Sequence, residues 1–398
     1  MSAPLAVSRP EGAIHVRVAA LTDVGRTREH NEDAFLVGDL AAPDPLAFTG
    51  EEGAAGHPHE HLLALPETGM LFLVADGLGG AAAGEVASHM AVRTVFDALR
   101  ERMPDAATDG AAFAAALRDA ALAANASIHH VAARNAELRG MGTTLTAAAL
   151  LGDTLFLAQV GDSRAYLVRN GAAQQLTKDQ SLMQRLLDAG EITPEQAETS
   201  ARRNIILQAL GPEPMVKVDI THQPVRRGDL LLLCSDGLSG QVRADTLAEA
   251  AVNASDLAEL CTSLVHQANA AGGPDNITVV AVRLDGEGLS DAGTTDAVGH
   301  LAYPVTPTPQ NPLPALLSPD RAAAAMRSEA AATLATRGAA ASPTGAAGVV
   351  TGPDGAAPGV TAGELAERRD RARVAYLALG GLAILLGLLW FWHLSGQR

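Results

Sequence analysis

The stretch Leu71-Phe72-Leu73-Val74-Ala75-Asp76-Gly77-Leu78-Gly79-Gly80 decides the fold. Its apolar start predicts a buried strand, because strands that are covered on both faces carry continuous apolar runs. The strand ends on a carboxylate, a glycine-rich turn follows, and a helical pattern begins near residue 83. An acid at the end of a buried strand is held in place by the core behind it. Asp-Gly is also a common hairpin signal, so this stretch alone leaves both interpretations open.

The same arrangement recurs later in the chain, which favours a site over a simple hairpin. A leucine-rich run that begins at Leu230 ends on Asp236-Gly237, and two further aspartates, Asp33 and Asp275, also flank strand-like runs. The element after Asp76 has a helical pattern and does not read as a second strand. If the strands involved are neighbours, these four carboxylates converge on one point.

Several carboxylates that lie close together repel each other strongly. They are tolerated only when they are protonated or neutralised by cations, and hard divalent ions such as Mg²⁺ and Mn²⁺ suit all-oxygen ligands. An aspartate shared by two such ions would place a water of lowered pKa between them. Arg28, in the polar connection before Asp33, could bind two phosphate oxygens with its planar guanidinium. A solvated surface charge is the alternative for this arginine.

Composition excludes some classes of protein. The chain has 398 residues and a net charge of −16 without a basic patch, so we expect no nucleic-acid partner. Its only cysteines, Cys234 and Cys261, lie in apolar segments. They suggest neither a disulfide nor a metal pattern, which fits a reducing compartment, and Cys234 reads as a buried core residue.

The first 285 residues alternate between strand and helix patterns, with two longer irregular segments. The predicted strands are 16–21, 34–37, 71–75, 145–151, 154–160, 165–169, 216–220, 230–234 and 277–284, and the predicted helices are 83–100, 111–134, 244–253 and 257–271. Segment 38–69 reads as an irregular insertion, and its histidines, His57, His59 and His61, fit a solvated loop better than a metal site. Segment 181–211, hereafter the flap, is polar and partly helical and could cover a site.

The remainder of the chain predicts a membrane anchor. Residues 286–367 are rich in Ala, Gly, Pro, Thr and Ser and read as a flexible linker. Val374–Leu394 is free of Asp, Glu, Lys and Arg, and its length suits one transmembrane helix. Trp390 and Trp392 suit the membrane interface. Four arginines at the start of segment 368–398, at positions 368, 369, 371 and 373, precede the helix, which places the long N-terminal side in the cytoplasm.

The start of the chain reads as a short arm, residues 1–13, without the apolar region of a secretory signal. We therefore expect a catalytic domain over residues 14–285 that faces the cytoplasm and is tethered to the cell membrane by a single pass.

Six short motifs appear together in one order. They are Arg28-x-x-Asn31-Glu32-Asp33, Ala75-Asp76-Gly77-Leu78-Gly79-Gly80, Gly142-Thr143-Thr144, Gly161-Asp162-Ser163-Arg164, Ser235-Asp236-Gly237 and Gly273-Pro274-Asp275-Asn276. With this set, residues 14–285 resemble the bacterial form of the metal-dependent, type 2C serine/threonine protein phosphatases. The resemblance implies an α+β fold, an αββα sandwich of two antiparallel sheets with helices on both outer faces. The chain adds the disordered linker and the C-terminal transmembrane helix to it.

The resemblance also implies roles for individual residues. Two Mn²⁺ or Mg²⁺ ions would be bridged by Asp76, with the Gly77 carbonyl on one ion and Asp236 and Asp275 on the other. An activated water would then attack phosphorus in line, without a phosphoenzyme. The remaining implied roles are metal-bound waters held by Glu32 and Asp33, the substrate phosphate bound by Arg28, and support of the site by Asp162 and Asn276.

Two positions depart from the family pattern. Leu78 stands where many eukaryotic members carry a histidine that is interpreted as the general acid. Arg139 stands where members with a third metal usually carry an aspartate. A cation there opposes a third metal ion, so we expect that ion to be weak or absent, and Arg139 either contacts substrate or faces solvent.

The expected partners are phosphorylated Ser/Thr proteins, including a Ser/Thr kinase and its substrates, and the catalytic domain is expected to be monomeric. The alternative function is a catalytically weak, phosphopeptide-binding scaffold, whose signature would be lost metal ligands. Asp76, Asp236 and Asp275 are all present, which favours the enzyme.

Overall fold

The computed structural model describes residues 12–48, 60–79, 83–106, 109–293 and 296–305. Within these ranges no helix is long and apolar enough to cross a membrane. The predicted anchor helix at 374–394, the linker from residue 306 onward, the arm up to residue 11, and His57 and His59 lie outside the described residues.

Two six-stranded sheets form the centre of the structure. In spatial order, the first sheet consists of β11 (Ala172–Gln175), β10 (Arg164–Arg169), β13 (Leu230–Cys234), β14 (Ile277–Asp285), β1 (His15–Asp23) and β4 (His61–Ala64). The second consists of β12 (Asp219–Pro224), β9 (Thr154–Val160), β8 (Leu145–Leu151), β5 (Met70–Ala75), β2 (Ala34–Asp39) and β3 (Ala47–Phe48). All neighbouring strands in both sheets are antiparallel.

Helices cover the outer face of each sheet. Against the second sheet lie α1 (Ala83–Ala106) and α2 (Gly110–Arg134). Against the first lie the short α5 (Asp236–Ser239), α6 (Ala244–Asn253) and α7 (Leu257–Ala270). The flap contains α3 (Leu182–Asp188) and α4 (Pro194–Thr199). The expected arrangement of two antiparallel sheets between helices is confirmed.

The alternation of side chains along β5 explains its continuous apolar run. Phe72 and Val74 face the other sheet and pack in the core between the sheets, whereas Leu71 and Leu73 pack under α1 and α2. Both faces of the strand are therefore covered, and every residue of Met70–Ala75 is buried. Burial of a Leu, Val or Phe side chain contributes about 1.5–3 kcal/mol, so this strand anchors Asp76 at its end.

Two sequence expectations about the loops and edges need correction. Segment 38–69 is not wholly irregular, because it contains the edge strands β3 and β4. The strand predicted at 216–220 runs instead over Asp219–Pro224. Its buried residues include Thr221 and Gln223, whose polar side chains do not stand out as a buried strand in an apolar pattern.

The packed chain also continues beyond the predicted boundary at residue 285. Leu289 is buried in the core between the sheets, and Tyr303 packs edge-on against Phe156. The Tyr303 N–H donates to the Ile220 carbonyl at 2.8 Å, so this segment adds backbone hydrogen bonds along β12. The folded part therefore includes the described residues up to 305, part of what the sequence assigned to a linker.

Candidate active site

Two aspartates meet at one end of the second sheet. Asp76 follows β5, Asp33 precedes β2, and the antiparallel register pairs Ala75 with Ala34. The end of one strand and the start of its neighbour are therefore side by side, which meets the condition under which the sequence pattern makes these carboxylates converge.

The first sheet brings two more acids to the same end of the sandwich. Asp236 follows β13 after Ser235, and Asp275 precedes β14. The register pairs Cys234 with Val279, and the Ser235 N–H donates to the Thr278 carbonyl. The two connections thus lie next to each other.

Asp33 joins the two sheets through hydrogen bonds. Its Oδ2 accepts from the hydroxyls of Ser235 and Thr278, each at 2.7 Å. Its Oδ1 is buried and has no hydrogen-bond partner among the described residues. Burial raises the pKa of Asp33 to about 7, opposed by the two hydroxyl donors and reinforced by the charges of Asp236 and Asp275. The Asp33 side chain is therefore held in place through Oδ2, while Oδ1 is left without a hydrogen-bond donor.

The Gly142-Thr143-Thr144 motif holds the backbone of Asp76. The Asp76 N–H donates to the Thr144 hydroxyl at 2.9 Å. The Asp76 carbonyl accepts from the Thr144 N–H at 2.9 Å and from the Thr143 hydroxyl at 2.8 Å. Burial, followed by the charges of Asp33, Asp236 and Asp275, raises the pKa of Asp76 well above its ordinary value. The carboxyl is thus fixed at the centre of the acidic group.

Asp236 and Asp162 complete this group. Burial and the charge of Asp275 raise the pKa of Asp236. Burial and the charge of Asp236 raise the pKa of Asp162 to about 7. In each of these two residues Oδ1 is buried and finds no partner in the described part of the chain. Burial and repulsion between carboxylates both favour the neutral form, so these groups retain their protons to a higher pH than exposed aspartates do.

These observations fit divalent cations. Three buried carboxyl oxygens lack partners, the carboxyl pKa values rise through burial and mutual repulsion, and the donors are all oxygen, which Mn²⁺ and Mg²⁺ prefer. No three His, Cys, Asp or Glu side chains in the described ranges form a ready-made metal cage. Ions held here would take many of their ligands from water, as Mg²⁺ commonly does.

The glycine after each central aspartate is required by close packing. A Cβ on Gly77 would lie 2.5 Å from the Glu32 carbonyl oxygen and 2.5 Å from the Gly84 carbonyl oxygen. A Cβ on Gly237 would collide with the Asn276 carbonyl. The turn after β5 therefore packs against the backbone of Glu32 and Gly84, and the turn after β13 packs against the backbone of Asn276.

Arg28 and Asn276 lie on the rim and behind the site, respectively. Arg28 Nη2 donates to Asp275 Oδ2 at 2.8 Å, and 48% of the Arg28 side chain remains exposed. Asn276 Oδ1 accepts from the Glu32 N–H at 2.8 Å, and its Nδ2 donates to the carbonyls of Val24 and His30, both at 2.9 Å. Asn276 thereby shapes the loop that carries Arg28.

Glu32 is placed between this loop and α1. It is buried, and burial raises its pKa while the Arg28 charge opposes the shift. Its carbonyl accepts from the Ser88 hydroxyl at 2.6 Å. All the residues predicted for the site thus lie at one end of the sandwich.

Sequence reasoning missed the hydroxyl groups that position the acids. Ser235, Thr278 and Thr144 all bond an aspartate of the site. For Ser235 the available signal was a hydroxyl residue next to an acid at the end of an apolar strand, whereas Thr278 and Thr144 lie three or more positions from any acid.

The structure also places Leu78 and Arg139, the two residues that depart from the family pattern. Leu78 pairs with Gly142 in the short ribbon of β6 (Gly77–Leu78) and β7 (Gly142–Thr143). Arg139, three residues before Gly142, is exposed. It makes no hydrogen bond or ion pair with the part of the chain that the structure describes.

Comparisons with known proteins agree with this geometry. The family model for protein phosphatase 2C matches residues 61–278. The serine/threonine phosphatase stp of Listeria monocytogenes is 39% identical over 264 residues, which cover 66% of this chain and 94% of that protein. The crystal structure of the Mycobacterium tuberculosis serine/threonine phosphatase PstP/Ppp has a TM-score of 0.55 and 36% identity, covering 68% of this chain and 99% of that one.

A structure of the PstP catalytic domain in complex with two manganese ions has a TM-score of 0.53 and 36% identity, and covers 68% of this chain and 99% of that chain. The predicted enzyme class is confirmed: the chain belongs to the protein phosphatase 2C family of serine/threonine phosphatases.

Proposed function

We propose that this protein hydrolyses phosphoserine and phosphothreonine in proteins with the help of two Mn²⁺ or Mg²⁺ ions. The observation that carries the proposal is the group of buried aspartates, several of whose oxygens lack partners and whose pKa values are raised by burial and then by mutual repulsion. When bound, the ions would neutralise this charge and supply a water of lowered pKa as nucleophile.

The chain's own residues divide the remaining work. Asp76, the Gly77 carbonyl, Asp236 and Asp275 would hold the ions. Glu32 and Asp33 would orient waters, because both are rigidly placed beside that group.

Arg28 would bind the substrate phosphate. Its guanidinium bonds Asp275 with one nitrogen, and its half-exposed remainder can receive phosphate oxygens from the solvent side. Asp162 and Asn276 would support the site. Leu78 cannot donate a proton, so the leaving group would be protonated from water or from another residue.

The cellular setting follows from the sequence. The part of segment 286–367 that follows residue 305 would form a flexible linker, and 368–398 would hold the catalytic domain, as a monomer, at the cytoplasmic face of the cell membrane. The enzyme would oppose a Ser/Thr kinase there. The uncharged run at 374–394 and the arginines before it support this proposal. Tethering raises the local concentration of the domain near membrane substrates.

The experiment is a Mn²⁺ titration with a phosphothreonine peptide, using full-length protein and Asp76→Asn. We expect Mn²⁺-dependent phosphate release by the wild type, loss of release in EDTA, and a rate about 10³-fold lower in the variant. Equal rates for the two proteins would refute the proposal. Binding of the peptide without turnover by the wild type would favour the scaffold instead.

A further inference from the structure

Gln180 connects the flap to the loop that carries Asp162. It immediately precedes Ser181, the N-cap of α3, where the flap begins. The Gly161 N–H donates to Gln180 Oε1 at 3.0 Å, and the Gly161 carbonyl accepts from the Gln180 N–H at 2.8 Å. Gln180 therefore binds both polar groups of the residue before Asp162.

The backbone at Gly161 is closely packed and adopts a conformation that favours glycine. Its φ is +97°, and a Cβ there would lie 2.7 Å from Thr144 Cγ2. Thr144 is the residue that holds the backbone of Asp76. A shift of the Gly161 backbone would therefore be transmitted to Asp162 on one side and to Thr144 on the other.

The amide nitrogen of the Gln180 side chain also has hydrogen-bond partners. Nε2 donates to Asp219 Oδ2 at 2.8 Å, and Lys217 Nζ bonds the second oxygen of that carboxylate at 2.8 Å. The amide thus uses its acceptor toward Gly161 and its donors toward Asp219 and the carbonyls of Lys217 and Gln159, which determines its orientation. The position of the Gln180 amide therefore depends on both Gly161 and Asp219.

The flap closes back on the same residue. The Leu207 N–H donates to the Gln180 carbonyl at 2.8 Å, and the Leu182 N–H donates to the Ile205 carbonyl at 2.9 Å. The outgoing and returning chains of the flap are therefore joined at Gln180, so displacement of the flap pulls directly on the clamp around Gly161.

We propose that Gln180 is a positioning residue that couples the flap to the Asp162 loop, so that the placement of the flap controls the reacting end of the site. The proposal rests on the proposed function for the role of Asp162. It predicts that loss of the clamp lowers kcat for every substrate, and not only the binding of large substrates that touch the flap.

The test uses full-length protein with Gln180→Met, which keeps the size of the side chain but removes its hydrogen bonds. The matched control is Gln184→Met, because Gln184 bonds Asp188 within the flap helix at 2.9 Å and does not reach the loop. We expect kcat of Gln180→Met to fall about tenfold for both p-nitrophenyl phosphate and a phosphothreonine peptide, with the control unchanged. An increase in KM for the peptide alone would overturn the proposal.

A rescue separates positioning from general stability. Gln180→Glu keeps an acceptor for Gly161 but places a carboxylate against Asp219, so we expect a similar loss of kcat. Adding Asp219→Asn restores a donor opposite Glu at 180, and we expect kcat to return to within about twofold of the wild type. A double variant no faster than the single one contradicts the coupling.

Hydrogen exchange tests the clamp independently of activity. Mass spectrometry of metal-free protein should show faster exchange around Gly161 in Gln180→Met, by about fivefold or more if one hydrogen bond is lost, but not in Gln184→Met. Unchanged exchange would refute the clamp even in an active enzyme. Faster exchange in a protein that hydrolyses nothing would refute only the proposed function.

Discussion

The two ends of the β-sandwich treat buried carboxylates in opposite ways. Asp229 precedes β13 at one end, and Asp33 lies beside the residues that follow β13 at the other. Each residue is 1% exposed. Asp229 forms a forked ion pair with the buried Arg169, at 2.8 and 2.6 Å, and also accepts from the Arg226 N–H. Asp33 is bonded by two hydroxyls and lies among other acids.

The difference teaches that burial alone does not identify a functional acid. At the Asp229 end the protein supplies its own cation, because Arg169 matches the charge of Asp229 within the chain. At the Asp33 end the carboxyls outnumber the cations, and Arg28 on the rim bonds only Asp275 among them. Unpaired buried charge is costly, so that end favours either protonation of its carboxyls or the metal ions of the proposed function.

The largest effect is expected on turnover. Asp236→Asn should lower kcat by about 10³-fold, because it removes a charge that would hold the ions. Asp229→Asn should leave kcat per folded molecule within about twofold of the wild type, since its ion pair is distant from the reaction. Mn²⁺-dependent release of phosphate from a phosphothreonine peptide measures both. Similar losses in the two variants would erase the distinction between the ends.

The same comparison should reverse for stability. Asp229→Asn should lower the free energy of unfolding by about 3–5 kcal/mol, because Arg169 is left buried without its partner. Asp76→Asn, measured in EDTA, should raise the free energy of unfolding, because it removes repulsion among the acids. Urea denaturation of both variants in EDTA measures whether each substitution raises or lowers the free energy of unfolding. A loss of stability in both would contradict the account of the acidic end.

A smaller effect is expected on the pH dependence of stability. The pKa of Asp162 is about 7 in the folded protein, against 3.8 for an ordinary aspartate. Between about pH 4 and 7 the unfolded chain has released this proton while the folded chain retains it. The stabilisation from the raised pKa is therefore complete at the acidic limit and is lost as pH rises to 7.

Asp162→Asn removes the titration of this carboxyl and its repulsion of the neighbouring acids. In EDTA, the wild type should lose stability relative to the variant as pH rises, with a slope of up to about 1.4 kcal/mol per pH unit. Saturating Mn²⁺ should remove much of that difference. Denaturation curves at several pH values test it, and a slope of the opposite sign would show that Asp162 is ionised without help.

The smallest effect is expected from adding an acid to the rim. Arg139→Asp should allow a third Mn²⁺ to bind weakly and should change kcat only a few-fold. Metal analysis after equilibrium dialysis measures the stoichiometry, with the exposed Arg134→Asp as a control for lost charge. Three ions already bound to the wild type would contradict the role assigned to Arg139.

Much of the acidic centre could be predicted because its residues sit at the ends of strongly apolar strands. Leu71–Ala75 and Leu230–Cys234 are buried runs, so Asp76 and Asp236 had to emerge at strand ends. The role of Asp162 came only from the family resemblance, since nothing in the pattern shows that its loop turns toward the other acids.

Other features depend on contacts that a local pattern does not contain. The strand β12 buries Thr221 and Gln223, and Gln223 is satisfied by the Ala297 carbonyl, far along the chain. Tyr303 lies beyond a Gly- and Thr-rich stretch that reads as linker, yet it packs against Phe156 and His222. The hydrophobic periodicity of a sequence does not reveal hydrogen bonds and aromatic contacts between residues that are far apart in the chain.

The most direct test of the central claim is anomalous diffraction at the manganese edge from crystals grown with Mn²⁺. The account predicts two peaks at the acidic end, with Asp76 between them and Asp236 and Asp275 beside one of them. No peak among these aspartates, or manganese bound only elsewhere on the protein, would contradict it.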